Sequence, residues 1–367
     1  MNRRTGVLES PVGPRVRIDG REVDYFCGTS YFCLHGHPEV IEAACTTARE
    51  VGLGAATSLA TRAHVELNAR LRQFLNVETV TLVPSGYLAP LVLLQSLAAD
   101  YDVIFVDRAA HYGELDAVRA SGKRSVSFEH LDANDLAQRL ASHLRPGDRP
   151  LVLTDGVFPS TGAIAPLADY IAALSRYPDN TLCIDDAHGV GVLGASGRGT
   201  LEHWGVDCRD AYACGTLSKA FGAAGGIVPG TQSLAEKIRV LSKVPIGASA
   251  PSAPAAAAAS AAVRLLAAHP EMRRTLWDNA ACLRAGLREL GFDLAASPVP
   301  IVSLVGRAGL DLHRSHARLA ADGIAVLYVP PRGYSDAPDV ESLRIAVFST
   351  HSHDQLDRVV DALRRAI

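Results

Sequence analysis

Between residues 79 and about 230, short β-rich apolar runs alternate with helical segments, and few architectures tolerate that rhythm. The runs are TVTLV at 79–83, VIFV at 103–106, LVLT at 151–154, LCI at 182–184 and AYAC at 211–214. Strands separated by helix-length connections pair in parallel, and apolar runs without polar alternation are buried on both faces. The pattern predicts an α/β fold built on a large, mainly parallel sheet.

After about residue 270 the rhythm changes. Two helical segments are followed by PIVSLV, IAVLYV and LRIAVF, then by an amphipathic helix from His353 to Ile367, which reads as a smaller α+β C-terminal domain. A chain of 367 residues is longer than one core usually grows, in keeping with two domains. The expected division is an N-terminal segment 1–40 packing with the small domain, a large domain over 41–255 and the small domain over 256–367. An Ala/Pro/Ser-rich stretch from Gly247 to His269 is helical in its second half.

Composition removes several function classes. With 48% hydrophobic residues, 20% charged residues and a net charge of -3, the chain is neither disordered nor a strongly basic nucleic-acid binder. MNRRTGVLESPVGPR lacks an apolar signal core and no uncharged apolar run reaches the ~18 residues of a membrane span, so a cytoplasmic protein without membrane contact is expected. Seven cysteines (Cys27, Cys33, Cys45, Cys183, Cys208, Cys214 and Cys282) are odd in number and never form C-x-x-C, which signals reduced thiols rather than disulfides or zinc.

In an open parallel sheet, ligands gather beyond the C-terminal ends of the strands, and four junctions there carry chemistry. In LVPSGYLAPLVLLQSL, Ser85-Gly86-Tyr87 turn a strand into a helix, where backbone N–H groups accept an anion and glycine permits close approach; ordinary helix capping uses the same residues. In IDDAHGVGVLG, Asp185 closes a strand and His188 follows: a carboxylate holding a heterocyclic nitrogen protonated and an imidazole donating to a nearby oxygen, or two metal ligands, or a capped turn. No third ligand lies at a suggestive spacing, so no metal is expected. In CGTLSKAFGAAGG, Lys219 stands among small residues where a solvated surface lysine is unusual, and an amine so placed forms an imine with an aldehyde. In LRIAVFSTH, Arg344 opens a strand and offers a bidentate partner for a carboxylate, or a structural ion pair. A phosphate cradle, a pyridinium partner, an imine-forming amine and a carboxylate clamp are together what pyridoxal phosphate acting on an amino acid requires.

At these residues the chain resembles the α-oxoamine synthases, acyltransferases of the fold-type I, aspartate aminotransferase-like class of PLP-dependent transferases. The likeness runs through GREVDYFCGTSYFCLHGHPEVI, DRAAH, TDGVFPSTGAIAPL, IDDAHGVGVLGASGRG, GTLSKAFGAAGG and LRIAVFSTH, nearly the whole chain. It implies that Lys219 carries pyridoxal 5'-phosphate as a Schiff base, Asp185 pairs with the pyridine nitrogen and His188 bonds the ring hydroxyl oxygen. It further implies that His111 stacks on the ring and assists at the thioester, Ser85, Gly86, Tyr87 and Thr216 anchor the cofactor, and Arg344 receives the amino-acid carboxylate. The implied reaction is a decarboxylative Claisen-type condensation of a small amino acid with an acyl thioester, on CoA or a carrier protein, giving an α-amino ketone in a homodimer.

The sequence departs from the family pattern at Pro159, where a serine is usual and only Ser160 is left to supply a hydroxyl, and at Ala248, beside Ser249. Thr29 and Pro90 each replace a usual asparagine, and Arg62 in VGLGAATSLATRAH is off the expected position. These departures leave open another PLP reaction on the same scaffold, such as aldol cleavage, racemisation or transamination. A non-enzymatic subunit is disfavoured because Lys219, Asp185, His188 and His111 are all present.

Overall fold

The computed structural model describes residues 6–54, 59–207 and 211–367. Cys208 and part of VGLGAATSLATRAH, residues 55–58, lie outside them. Its strands are β1 (Arg15–Ile18), β2 (Arg21–Tyr25), β3 (Thr79–Val83), β4 (Val103–Asp107), β5 (Arg124–Phe128), β6 (Pro150–Asp155), β7 (Thr181–Asp185), β8 (Tyr212–Thr216), β9 (Gly226–Gly230), β10 (Ile301–Val305), β11 (Ile324–Ala325), β12 (Leu327–Val329) and β13 (Ser342–Ala346).

The chain divides into two units, one of residues 38–158 and 164–268, the other of 1–37, 159–163 and 269–367. The first holds a seven-stranded sheet in the order β3-β9-β8-β7-β6-β4-β5. From β5 to β8 every pairing is parallel, while β9 runs antiparallel to both β8 and β3. Two reversals restore direction, so β3 ends at the same edge as β4, β6, β7 and β8. β4, β6 and β7 are buried at every position, as uninterrupted apolar runs demand. Ile104, Val106, Leu151, Leu153 and Cys183 meet Val92, Leu93 and Leu97 at the helix Ala89–Ser96, and Ala117 and Val118 of the helix Tyr112–Ser121.

Two strands add to the five expected ones. β5 reads RSVSF, half polar, because it is the outer edge of the sheet with one neighbour. β9 reads GIVPG, and Pro229 is tolerated because β8 pairs only with Gly226 and Ile227, leaving Pro229 opposite Val80 alone.

The other unit contains two three-stranded sheets, β1-β2-β11 and β10-β13-β12. IAVLYV breaks at Val326, so that β11 pairs in parallel with β2 and β12 antiparallel with β13. The two helical segments expected before PIVSLV are one, Glu271–Glu289; the next helix, Leu312–Ala321, follows β10. Phe26, Leu283, Leu287, Val302, Leu343, Ile345, Val359 and Leu363 share its core. Among the described residues no helix is long and apolar enough to cross a membrane.

Candidate active site

Every site residue that the sequence suggests in the first unit stands just beyond or at the common strand edge. Ser85–Tyr87 follow β3, His111 follows β4, Asp185 ends β7, Thr216 ends β8, and Lys219 lies in the link to β9. Parallel register carries the assembly further, since Asp155, the last residue of β6, is paired with Asp185.

Asp185 and Asp186 are consecutive, so their side chains leave a strand in opposite directions. Asp186 is consumed locally: Thr200 donates to it from its backbone N at 2.8 Å and its hydroxyl at 2.5 Å, and burial pushes its carboxyl up to about 7. Asp185 is 5% exposed and receives the Ala187 N–H at 3.0 Å. Burial raises its pKa, and the charges of Lys219 and His111 with the Ala187 N–H offset only part of that. His188 is buried in the following turn.

His111 is the N-cap of the helix Tyr112–Ser121, its ring Nδ1 accepting from Gly113 N at 3.1 Å. The ring stands edge-on to Tyr87, with centroids 6.0 Å apart. Its backbone N–H donates to Asp155 Oδ2 at 2.8 Å and to Glu114 Oε2 at 3.1 Å. Sequence reasoning passed over Asp155 and Glu114, although a strand-ending acid and a glutamate three residues after an N-cap are both readable signals.

Lys219 is half-buried on a compact link. Leu217 N donates to Gly225 O at 2.9 Å, Ala223 N to Leu217 O at 2.9 Å, and Gly222 N to Lys219 O at 3.2 Å. Gly225 has φ +120°, and a Cβ there would lie 2.5 Å from Pro251, so only glycine closes the link. Thr216 donates to Gly225 O at 3.0 Å, and Ser218 N donates to Thr216 Oγ1 at 3.2 Å. Gly86 lies so near Thr216 that a Cβ on it would fall 2.6 Å from the threonine Cβ; Ser85 Oγ accepts from Tyr87 N at 3.2 Å.

Arg344 belongs to the other unit and is the third residue of β13, not its opening one. It is 5% exposed, with Nε donating to Pro159 O at 2.6 Å and Nη1 to Gly28 O at 3.2 Å. Pro159 thus serves through its carbonyl, which proline retains. Ser160 and Thr161 donate their N–H groups to Asp336 Oδ2 at 2.7 and 3.0 Å. In the first unit Ala248 caps the short helix Val244–Gly247 with Ser249 exposed beside it, Pro90 occupies the first turn of Ala89–Ser96, and Arg62 begins the helix Arg62–Leu75; Thr29 is half-buried in the other unit. Among the described residues no group of three or more His, Cys, Asp or Glu is arranged to hold a metal ion.

The donor set fits pyridoxal phosphate: an amine on a glycine-closed link, hydroxyls and backbone N–H groups at strand ends, and a carboxyl that burial holds above its ordinary pKa. The model for aminotransferase class I and II matches residues 30–363. An 8-amino-7-oxononanoate synthase of Thioalkalivibrio sulfidiphilus is 37% identical over 98% of this chain and 92% of that protein. One of Nitrosococcus oceani is 37% identical over 97% and 95%. A serine palmitoyltransferase from S. paucimobilis, solved with PLP and myriocin bound, superposes with a TM-score of 0.91 at 25% identity, covering 99% of this chain and 92% of that one.

Proposed function

The chain belongs to the aminotransferase class I and II family, in its α-oxoamine synthase branch, and on that premise we propose that it joins alanine to a seven-carbon dicarboxylic acyl thioester. It is a PLP-dependent acyltransferase that condenses a small amino acid with an acyl thioester and releases carbon dioxide. The finer reading rests on one observation, 37% identity across 98% of the chain to a protein named 8-amino-7-oxononanoate synthase. In that product the ketone carbon is the former acyl carbonyl, so carbons one to seven come from a thioester whose far end is a carboxylate. The amino-bearing carbon and its methyl are what alanine leaves after losing its carboxyl group.

Bound pyridoxal phosphate supplies an electron sink for negative charge at the amino-acid α-carbon. The chain's own residues do the rest. The Lys219 amine would hold the cofactor aldehyde and, as a free amine, would take and return the α-proton. Asp185, whose pKa burial raises, would hold the proton on the ring nitrogen. His111 would stack on the ring and donate to the thioester carbonyl oxygen, and His188 would donate to the ring hydroxyl oxygen. Ser85, Gly86, Tyr87 and Thr216 hold the phosphate, and the Arg344 fork receives the carboxylate of the amino acid.

The reading includes a cytoplasmic homodimer. Its support is the exposed apolar face of Leu59 (77%), Val65 (61%) and Ile246 (69%) around a cavity of about 930 Å³ that also takes in Ala248 and Ser249. It includes the division into a cofactor-binding domain over 41–255 and a smaller domain over 256–367 with residues 1–40, supported by the unit that joins residues 1–37 to 269–367.

The test is a panel of alanine, glycine and serine against pimeloyl, palmitoyl and acetyl thioesters of CoA and of a carrier protein. Thiol and carbon dioxide are expected with alanine and the pimeloyl thioester. Turnover with serine and the palmitoyl thioester instead would move the chain to the serine palmitoyltransferase reaction. Exchange of the alanine α-proton without thiol release from any thioester would favour racemisation or another PLP reaction.

A further inference from the structure

Glu114 is an acid the reaction does not use, in a place where acids are costly. A glutamate at the third position of a helix is ordinarily solvated, reaching back to the N-cap N–H. This one is 0% exposed, and its Oε2 meets the His111 N–H at 3.1 Å while Asp155 Oδ2 takes the same N–H at 2.8 Å. Its other oxygen, Oε1, is buried with no hydrogen-bond partner. Two carboxylate oxygens converging on one donor repel each other unless a proton lies between them.

The remaining neighbours do not supply a counter-charge for Glu114. From β7 comes Asp185, a third acid, on which Lys219 and His111 act. The thiols of Cys183 and Cys214 are pushed up by burial and stay neutral. Tyr87, on the turn packed against this helix, is bonded to Asp116, and the helix Ala89–Ser96 brings no ionisable side chain. Burial first, then the charge of Asp155 and a hydrogen bond to it, raise the Glu114 pKa well above the ordinary range.

We propose that Glu114 is a positioning residue: a neutral acid that shares one proton with Asp155, so that the pair clamps the His111 backbone and leaves Asp185 as the full negative charge facing Lys219 and the cofactor. The inference rests on the proposed function only for what His111 does; the protonation itself is read on protein without cofactor. A glutamine is, like the neutral acid, an uncharged group that can donate a proton to Asp155, whereas a leucine offers neither donor nor acceptor.

Infrared difference spectra of the cofactor-free protein, wild type against Glu114→Gln at about pH 8, where Asp186 is mostly ionised, should show a protonated-carboxyl band lost in the variant. In the holoenzyme, Glu114→Leu should lower kcat by roughly ten- to a hundredfold through displacement of His111, with KM for the thioester little changed. Glu114→Gln should restore most of that loss. Absence of the band, or a Glu114→Gln enzyme as impaired as Glu114→Leu, would overturn the proposal while leaving the condensation reading intact. If Glu114→Leu does not fold, the infrared band and the Glu114→Gln activity decide alone.

Discussion

Asp185 and Asp24 are both buried acids at the ends of strands or near them, and they are treated in opposite ways. Asp24 in β2 is 1% exposed, and around it stand Arg15 at 3.2 Å, Gln355 at 2.9 Å and the Arg358 guanidinium. Burial alone would push its pKa up, but the bonds from Gln355 and Arg15 and the charge of Arg358 outweigh it and hold the carboxyl below its ordinary value. Asp185 has one backbone N–H and two cations that lower its pKa only in part, and its carboxyl stays above the ordinary value. An acid that closes a structure is saturated with partners from its own chain. An acid that serves a reaction keeps its pKa raised by burial, and a protonated ring nitrogen would add the compensation its own chain supplies only in part.

The widest separation of the two should come from removing each charge. Asp185→Asn is expected to lower kcat by about 10²–10⁴, because the ring nitrogen loses the group that holds its proton. The cofactor-free variant should unfold no more easily than wild type, since an undercompensated buried carboxyl has been removed. Steady-state kinetics and urea titration read both effects. A variant of normal activity but lowered stability would make Asp185 a structural acid and erase the contrast.

Asp24→Ala reverses the pattern. It strands Arg15 and Arg358 and should cost about 3 kcal/mol in urea unfolding, the low end for a broken buried pair because both arginines are half exposed. At temperatures where the variant stays folded, kcat should remain near that of wild type. A loss of kcat as deep as that of Asp185→Asn would show that the two acids are not separable.

The two regions also differed in how openly the sequence displayed them. Lys219, Asp185, His111 and Ser85 each come within five residues after an apolar run, so local order along the chain already put them at one sheet edge. Glu114 and Asp155 were hidden because what makes them unusual is burial and mutual approach, and neither is a property of a short segment. β5 and β9 were missed for opposite physical reasons, an edge strand with little apolar content and a strand carrying a proline that only one-sided pairing permits. In the C-terminal half, β11 and β12 looked like one strand because the apolar run continues through Val326, whereas pairing changes sheet there.

His351 gives the smallest effect and the one with the opposite sign to Glu114. Its ring is stacked between Phe26 and Phe348, at 4.2 and 5.0 Å. Nδ1 accepts from Phe348 N at 2.8 Å, so the other nitrogen, 3.2 Å from Tyr25 O, carries the proton and the ring is neutral. Burial lowers its pKa to about 4, against 6.5 for the free side chain, with the Tyr25 bond opposing. A depressed folded-state pKa means that the unfolded chain binds a proton first as the medium acidifies. The stability His351 confers is therefore complete above 6.5 and is withdrawn as pH falls toward 4. Between about pH 7 and 5 the His351 contribution should fall by about 2 kcal/mol, read as the difference in urea midpoint between wild type and His351→Gln because the raised Asp186 carboxyl moves wild type the other way over the same range. His351→Gln, which cannot take up the proton, should be less stable than wild type at neutral pH and close that gap as pH falls, whereas Glu114→Gln should flatten a decline that begins instead as pH rises. A stability gap between wild type and His351→Gln that does not change between these pH values would mean that the ring accepts its second proton in place, against the geometry of the Phe348 N–H.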